Sequence, residues 1–120
     1  MPSNGEPIDR ETWHARMLEA LKLLPDTIGR RSAGLFGHGT LRIRFYAPRQ
    51  FDPQEPHDQD EVYVVMSGSG VFHRGEESVG FAAGDVLFVP AGMPHRFASF
   101  SDDFTTWVVF YGPTGGEKKA

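Results

Sequence analysis

The 120-residue chain contains no cysteine. A disulfide framework, a thiolate metal site and a cysteine nucleophile are all excluded by that one absence. Positive charge is also scarce: 12 lysines and arginines face 16 aspartates and glutamates, giving a net charge of −4 and a pI near 5.7. Such a balance argues against a nucleic-acid partner. No apolar run approaches the roughly 18 residues that a membrane helix needs. The opening stretch Met1-Pro2-Ser3-Asn4-Gly5-Glu6-Pro7 is polar and acidic, unlike a secretory leader, so a cytoplasmic location is expected. Neither phosphate-cradling glycine motif, G-x4-G-K-[ST] or G-x-G-x-x-G, occurs. Gly68-Ser69-Gly70 lacks the flanking residues of a nucleophile elbow.

What the chain has in quantity is glycine (14), proline (9) and aromatic residues (12%), with 39% hydrophobic and 23% charged residues. That composition suits one globular domain with many turns between aromatic-rich segments. Residues 1–9 read as a flexible lead, 10–112 as one domain, and 113–120 as a flexible tail. One helix is expected over 10–24. Asp9 is a candidate N-cap, Glu11 lies in the first turn, and Trp13, Met17, Ala20, Leu21 and Leu24 share a stripe that Pro25 ends.

Beyond the helix the pattern is of short strands: 41–46, 61–66, 71–73, 86–89, 95–100 and 104–111, separated by Gly, Pro and Asp turns. Such spacing predicts an all-β sandwich or barrel. Two strands are apolar on both faces, Val62-Tyr63-Val64-Val65-Met66 and Val86-Leu87-Phe88-Val89. A half-exposed antiparallel strand alternates with polar residues instead. The outer face of a sheet is therefore expected to be covered, by the helix, by a second subunit in a homodimer, or by both.

The chemistry centres on two segments. In Glu55-Pro56-His57-Asp58-Gln59-Asp60-Glu61, an extended chain turns Glu55, His57, Gln59 and Glu61 to one side. His95 follows the turn Pro90-Ala91-Gly92-Met93-Pro94. If the two segments are neighbours, His57, Glu61 and His95 form a two-histidine, one-carboxylate set that suits Fe, Mn, Zn, Ni or Co.

Gly84-Asp85-Val86-Leu87-Phe88-Val89-Pro90-Ala91-Gly92-Met93-Pro94-His95 resembles the second motif of the cupin superfamily, G-x5-P-x-G-x2-H, with Ser99 where the family usually has Asn. Residues 55–68 are similar to its first motif, H-x-H-x3-E-x6-G. His57, Glu61 and Gly68 match, and Glu55 stands in place of the first histidine. The resemblance implies a jelly-roll barrel (the double-stranded β-helix), one divalent metal per chain held by His57, Glu61, His95 and Glu55, and a homodimer. It spans dioxygenases, isomerases, lyases and non-catalytic binding proteins, so it does not choose a reaction.

Three readings of Glu55 stand side by side. As a ligand it makes the site harder and more anionic, favouring Fe, Mn or Zn over copper. Alternatively it turns to solvent and Gln59 or water takes its place, or the site holds no metal. Tyr63 shares a face with Glu61 and is a candidate pocket residue. Arg42, Arg44 and Tyr46 share one face of their strand, either solvated or an inward wall for an anionic ligand. His14, His38 and His73 carry no ligand spacing. The functional expectation is a metal-dependent dioxygenase acting on a small oxygen-bearing molecule. An isomerase or lyase and a non-catalytic small-molecule sensor are the alternatives.

Overall fold

The computed structural model describes residues 12–118. Helix α1 (Met17–Leu21) precedes eight strands: β1 (Ser32–His38), β2 (Leu41–Tyr46), β3 (Asp60–Ser67), β4 (Ser69–Arg74), β5 (Glu77–Ala82), β6 (Val86–Val89), β7 (His95–Ala98) and β8 (Thr105–Tyr111). They form two antiparallel sheets, ordered β1-β2-β8-β3-β6 and β5-β4-β7. This is the jelly-roll arrangement of two facing sheets. None of the helices among the described residues is long and apolar enough to cross a membrane.

The core lies between the sheets. Tyr46, Tyr63, Val65, Val89, Val108 and Phe110 project from the larger sheet onto Phe72, Phe81 and Phe97 of the smaller one, with Phe104 closing the end. The rings meet edge-on or tilted, as in Tyr63–Phe97 at 4.9 Å and Phe97–Phe104 at 4.6 Å, the geometries that ring quadrupoles favour. The barrel is thus filled with side chains, and polar groups inside it must find their partners there.

The helix is much shorter than the apolar stripe suggests. The proposed start at Asp9 and Glu11 and the flexible lead lie outside the described residues. Arg16 at the helix N-cap is extended and makes no side-chain cap bond, so no cap stabilises this end. Ala20, Met17, Leu21 and Leu24 do meet a sheet, packing on Phe45, Ala47, Leu35 and Trp107. Trp13, placed on the same stripe, is 85% exposed. The helix covers the β2–β8 end of the outer face. Met66, Val86 and Phe88 near the other end stay exposed.

The residues after Gly112, expected as a loose tail, fold back onto the loop before β3. Gly115 N–H donates to the Asp58 carbonyl (2.7 Å) and Glu117 N–H to Asp60 Oδ2 (2.8 Å). Positions 119–120 lie outside the described residues.

Candidate metal centre

Backbone hydrogen bonds hold the two motif segments together. Gly92 N–H donates to the His57 carbonyl at 2.7 Å, and Ala91 N–H to Asp60 Oδ1 at 2.9 Å. Gly92 adopts φ +80°, the left-handed region that favours glycine. The same turn that delivers His95 to the start of β7 therefore also fixes the loop bearing His57. Ser99 has φ +50°; Asn tolerates that region well, which gives a physical reason for the family's usual residue at this place.

Glu61 points inward from β3, in register with Phe110 of β8 and Val89 of β6. The His57 ring meets Phe110 edge-on at 5.0 Å and lies 5.7 Å from the His95 ring. One ligand-type atom from each of His57, Glu61 and His95 lies within 4.8 Å of the others. The side chains of Glu61 and His95 are each only 1% exposed.

The protonation pattern of this group follows from its neighbours. His95 Nδ1 is 2.9 Å from the Met93 carbonyl. A carbonyl can only accept, so Nδ1 carries a proton, and whenever the ring is neutral Nε2 presents its lone pair. That lone pair stands 2.9 Å from Glu61 Oε1. His57 Nε2 and Glu61 Oε2 are buried without a hydrogen-bond partner, and Glu61 Oε1 has a donor only when His95 is protonated. Acceptors facing acceptors in a dry interior are costly unless a cation lies among them. Two imidazoles and a carboxylate are the donor set of a divalent transition metal, so the residues fit such an ion.

The two histidines are displaced in opposite directions. Burial lowers the His57 pKa, and the nearby Glu61 charge only partly counters it. Burial also pulls His95 down, but the Glu61 carboxylate and the Met93 carbonyl outweigh it, so its pKa is raised. Tyr63 is fully buried, and that burial together with the Glu61 and Asp52 charges raises its pKa far above the ordinary phenol value. Tyr63 therefore stays protonated, a permanent donor beside the group.

Glu55 is exposed and stands outside the group. The alternation that turned it inward belongs to strands, and β3 begins only at Asp60; residues 52–59 form no strand. Gln59 is not in the group either. It is buried and its Nε2 donates to the Thr40 and Gly112 carbonyls (3.1 and 3.0 Å), tying the β1–β2 turn to the end of β8. The residue that enters is Gln54, unnoticed in the sequence. Its Oε1 accepts from Tyr63 Oη–H at 2.8 Å and lies 3.2 Å from His95 Nε2. Its Nε2 donates to Asp52 Oδ2 at 2.5 Å. Nothing in residue type or spacing marks Gln54; only the path of an irregular loop does.

The row Arg42, Arg44, Tyr46 faces inward. Tyr46 is in the core cluster, and Arg44 is fully buried opposite Val108, donating to Ser32 Oγ at 3.0 Å. Arg42 sits opposite Phe110, with its Nε buried and without a hydrogen-bond partner. His14 and His38 are exposed, and His73 is bonded to Ser78 Oγ at 2.6 Å. A cavity of about 420 Å³ adjoins His95, lined also by His73, Glu76, Pro94 and Arg96. A larger one of about 550 Å³, walled by Tyr46, Arg31, Arg49 and Phe51, lies away from the histidines. The buried donor set, not cavity size, marks the chemical centre.

Residues 43–111 match the Cupin domain family, and the chain belongs to the cupin superfamily. It is 34% identical over 74 residues to the acireductone dioxygenase of Geobacillus thermodenitrificans, covering 56% of this chain and 41% of that one. A cupin 2 conserved barrel domain protein from Salinispora arenicola has a similar fold, with a TM-score of 0.63 at 21% identity over 84% of this chain and 90% of that chain. A chain from crystal structures of DMSP lyases is similar at TM-score 0.55 and 26% identity, over 67% of this chain and 42% of that one. This chain spans 41 to 59% of the length of the curated relatives it matches.

Proposed function

We propose that this cupin is a metal-dependent dioxygenase acting on a small oxygen-bearing organic molecule, its metal held by His57, Glu61 and His95. The observation that carries the reading is the buried meeting of unpartnered acceptors from those residues. The likeness to an acireductone dioxygenase supports the choice of reaction. A bound Fe or Mn ion supplies Lewis acidity and coordination positions for oxygen or a substrate oxygen atom.

The chain's own part is positioning and exclusion of water. The Met93 carbonyl sets the His95 tautomer. Phe72, Phe97 and Phe110 pack the barrel around the group and keep bulk water from it. Tyr63 gives its hydroxyl proton to Gln54 Oε1 and lies 3.1 Å from His95 Nε2, fixing the side of the group on which both stand.

The test is oxygen uptake. Protein loaded with Fe(II) under nitrogen is mixed with a panel of small hydroxyketones and 2-hydroxy acids in an oxygen electrode. Uptake with a substrate, lost in His57→Ala and His95→Ala, is the expected result. Turnover under nitrogen with no oxygen uptake points instead to a lyase or isomerase, the second reading, which the likeness to DMSP lyases favours. Thermal stabilisation by a ligand with no turnover at all would mark a binding module and refute the proposal.

A further inference from the structure

We propose that Gln54 Oε1 is a fourth protein ligand to the metal, taking the role that position 55 has in the family pattern, and that Asp52 aims it. The inference rests on the metal-holding reading of His57, Glu61 and His95 and adds to it a residue that no sequence pattern marks.

The orientation of the Gln54 amide is not free. Its Nε2 stands 2.5 Å from Asp52 Oδ2, and a carboxylate can only accept, so the NH2 end must face Asp52. The oxygen end is thereby turned toward His95 and Tyr63. Asp52 is itself anchored at both oxygens. Tyr46 Oη–H and Gln54 N–H (3.2 Å) donate to Oδ1, and Phe97 N–H donates to Oδ2 at 2.9 Å. A carboxylate so held presents one fixed edge to Gln54.

At the oxygen end, Gln54 Oε1 has two lone pairs. One receives the Tyr63 hydroxyl proton at 2.8 Å. The other faces His95 Nε2 at 3.2 Å, the nitrogen that a metal would take in the neutral ring because Nδ1–H is committed to Met93. His95 Nε2 thus has three oxygen neighbours, Glu61 Oε1 at 2.9 Å, the Tyr63 hydroxyl at 3.1 Å and Gln54 Oε1 at 3.2 Å, and the hydroxyl proton is already given to Gln54. Metal–ligand bonds of roughly 2.1 Å at right angles place neighbouring ligand atoms about 3 Å apart. The Glu61 and Gln54 separations match that spacing.

Chemically, an amide oxygen in place of imidazole makes the site harder without adding charge. The donors become two imidazoles, one carboxylate and one carbonyl oxygen, which shifts preference from Cu and Ni toward Mn and Fe relative to an all-histidine arrangement. The extra negative charge that Glu55 would have brought is absent.

The test is titration of the full-length chain with Mn(II), read by the loss of the free aquo-ion electron paramagnetic resonance signal, and with Ni(II) by competition. Melting curves for each variant report folding separately. Gln54→Ala is expected to weaken Mn(II) by about tenfold or more, the scale on which displaced site residues act. Gln54→Glu puts a carboxylate oxygen in the same place and tightens Mn(II) despite facing Asp52. Gln54→His raises Ni(II) relative to Mn(II). Asp52→Asn weakens Mn(II) in the wild-type background but not in Gln54→Ala, because its effect runs through the amide. Mn(II) binding that depends on His57 and His95 yet stays within about threefold of wild type in Gln54→Ala and Gln54→Glu overturns the Gln54 role alone, being ordinary surface-substitution scatter. A wild-type chain that takes up no Mn(II), or whose uptake survives His57→Ala with His95→Ala, overturns the metal reading and this inference together.

Discussion

His95 Nε2 and Glu61 Oε1 stand 2.9 Å apart inside the barrel, while the other nitrogen of the same ring is committed to the Met93 carbonyl. With the ring neutral the pair sets a lone pair against a carboxylate, and His57 Nε2 close by has no partner. A cation that all three share removes the conflict. Chelation should therefore destabilise the fold: with free metal near 100 times its Kd, bound metal contributes about 2.7 kcal/mol. Melting metal-loaded protein with and without EDTA should show a fall of several degrees. His57→Ala should abolish the EDTA effect.

Without metal, a proton on His95 is the cation that offsets Glu61. His95 has a raised pKa in the fold, so the native state holds that proton above the ordinary value of 6.5 where the unfolded chain has lost it. Its stabilisation is complete below 6.5 and fades as pH rises through the raised value. His57 is lowered, so below 6.5 the unfolded chain binds the extra proton and stability falls with acidification. The two together predict greatest stability of the metal-free protein near pH 6.5. Urea melts across pH 5 to 9 in EDTA should show the decline on the alkaline side weakened in His95→Gln.

Glu55 is exposed, outside the group, and followed by Pro56. Glu55→Gln and Glu55→His should leave Mn(II) affinity within about a factor of three of wild type, as for a surface site. Calorimetric titration decides this. A tenfold loss in Glu55→Gln would return Glu55 to the site.

The outer face of β3 and β6 carries Met66, Val86 and Phe88, which are 40, 65 and 44% exposed. The helix does not reach them. We propose that a homodimer packs through this face, which would account for their apolar character. Sedimentation at micromolar concentration should give twice the chain mass, and Phe88→Ser with Val86→Ser should shift it to one chain. A wild-type monomer contradicts the expectation.

Two glycines with positive φ separate strain from crowding. A Cβ on Gly92 (φ +80°) meets nothing within 4 Å, whereas one on Gly68 (φ +85°) lies 2.6 Å from the Phe104 Cα. Gly92→Ala should cost about 1 to 2 kcal/mol, the left-handed penalty alone. Gly68→Ala adds a backbone collision and should cost about 3 kcal/mol or more. Chemical denaturation of the two variants compares them directly.

Much of this was legible in the chain itself. The strands 41–46 and 86–89 fall where their apolar pattern places them, and His57, Glu61 and His95 were found by motif spacing and come together. Strands β1 and β5 were not legible, because Ser32–His38 holds two glycines and Glu77–Ala82 is largely exposed, which blurs the period-two signal. The region around Gln54 misled for a sharper reason. Alternation was carried back from β3 into residues that form no strand, so it chose Glu55 where the loop delivers Gln54. Asp52, which aims Gln54, reads as an ordinary loop aspartate until its four hydrogen bonds, from Tyr46, Gln54 and Phe97, are seen.

The central claim is that this barrel holds a transition metal on His57, Glu61 and His95. The direct measurement is the metal content, by inductively coupled plasma mass spectrometry, of protein purified without chelator, beside the His57→Ala, His95→Ala double variant. The account predicts close to one Fe, Mn, Zn or Ni per wild-type chain and almost none in a double variant that still folds. Equal metal in the two proteins, or none in the wild type even after exposure to Fe(II) and Mn(II), would contradict it.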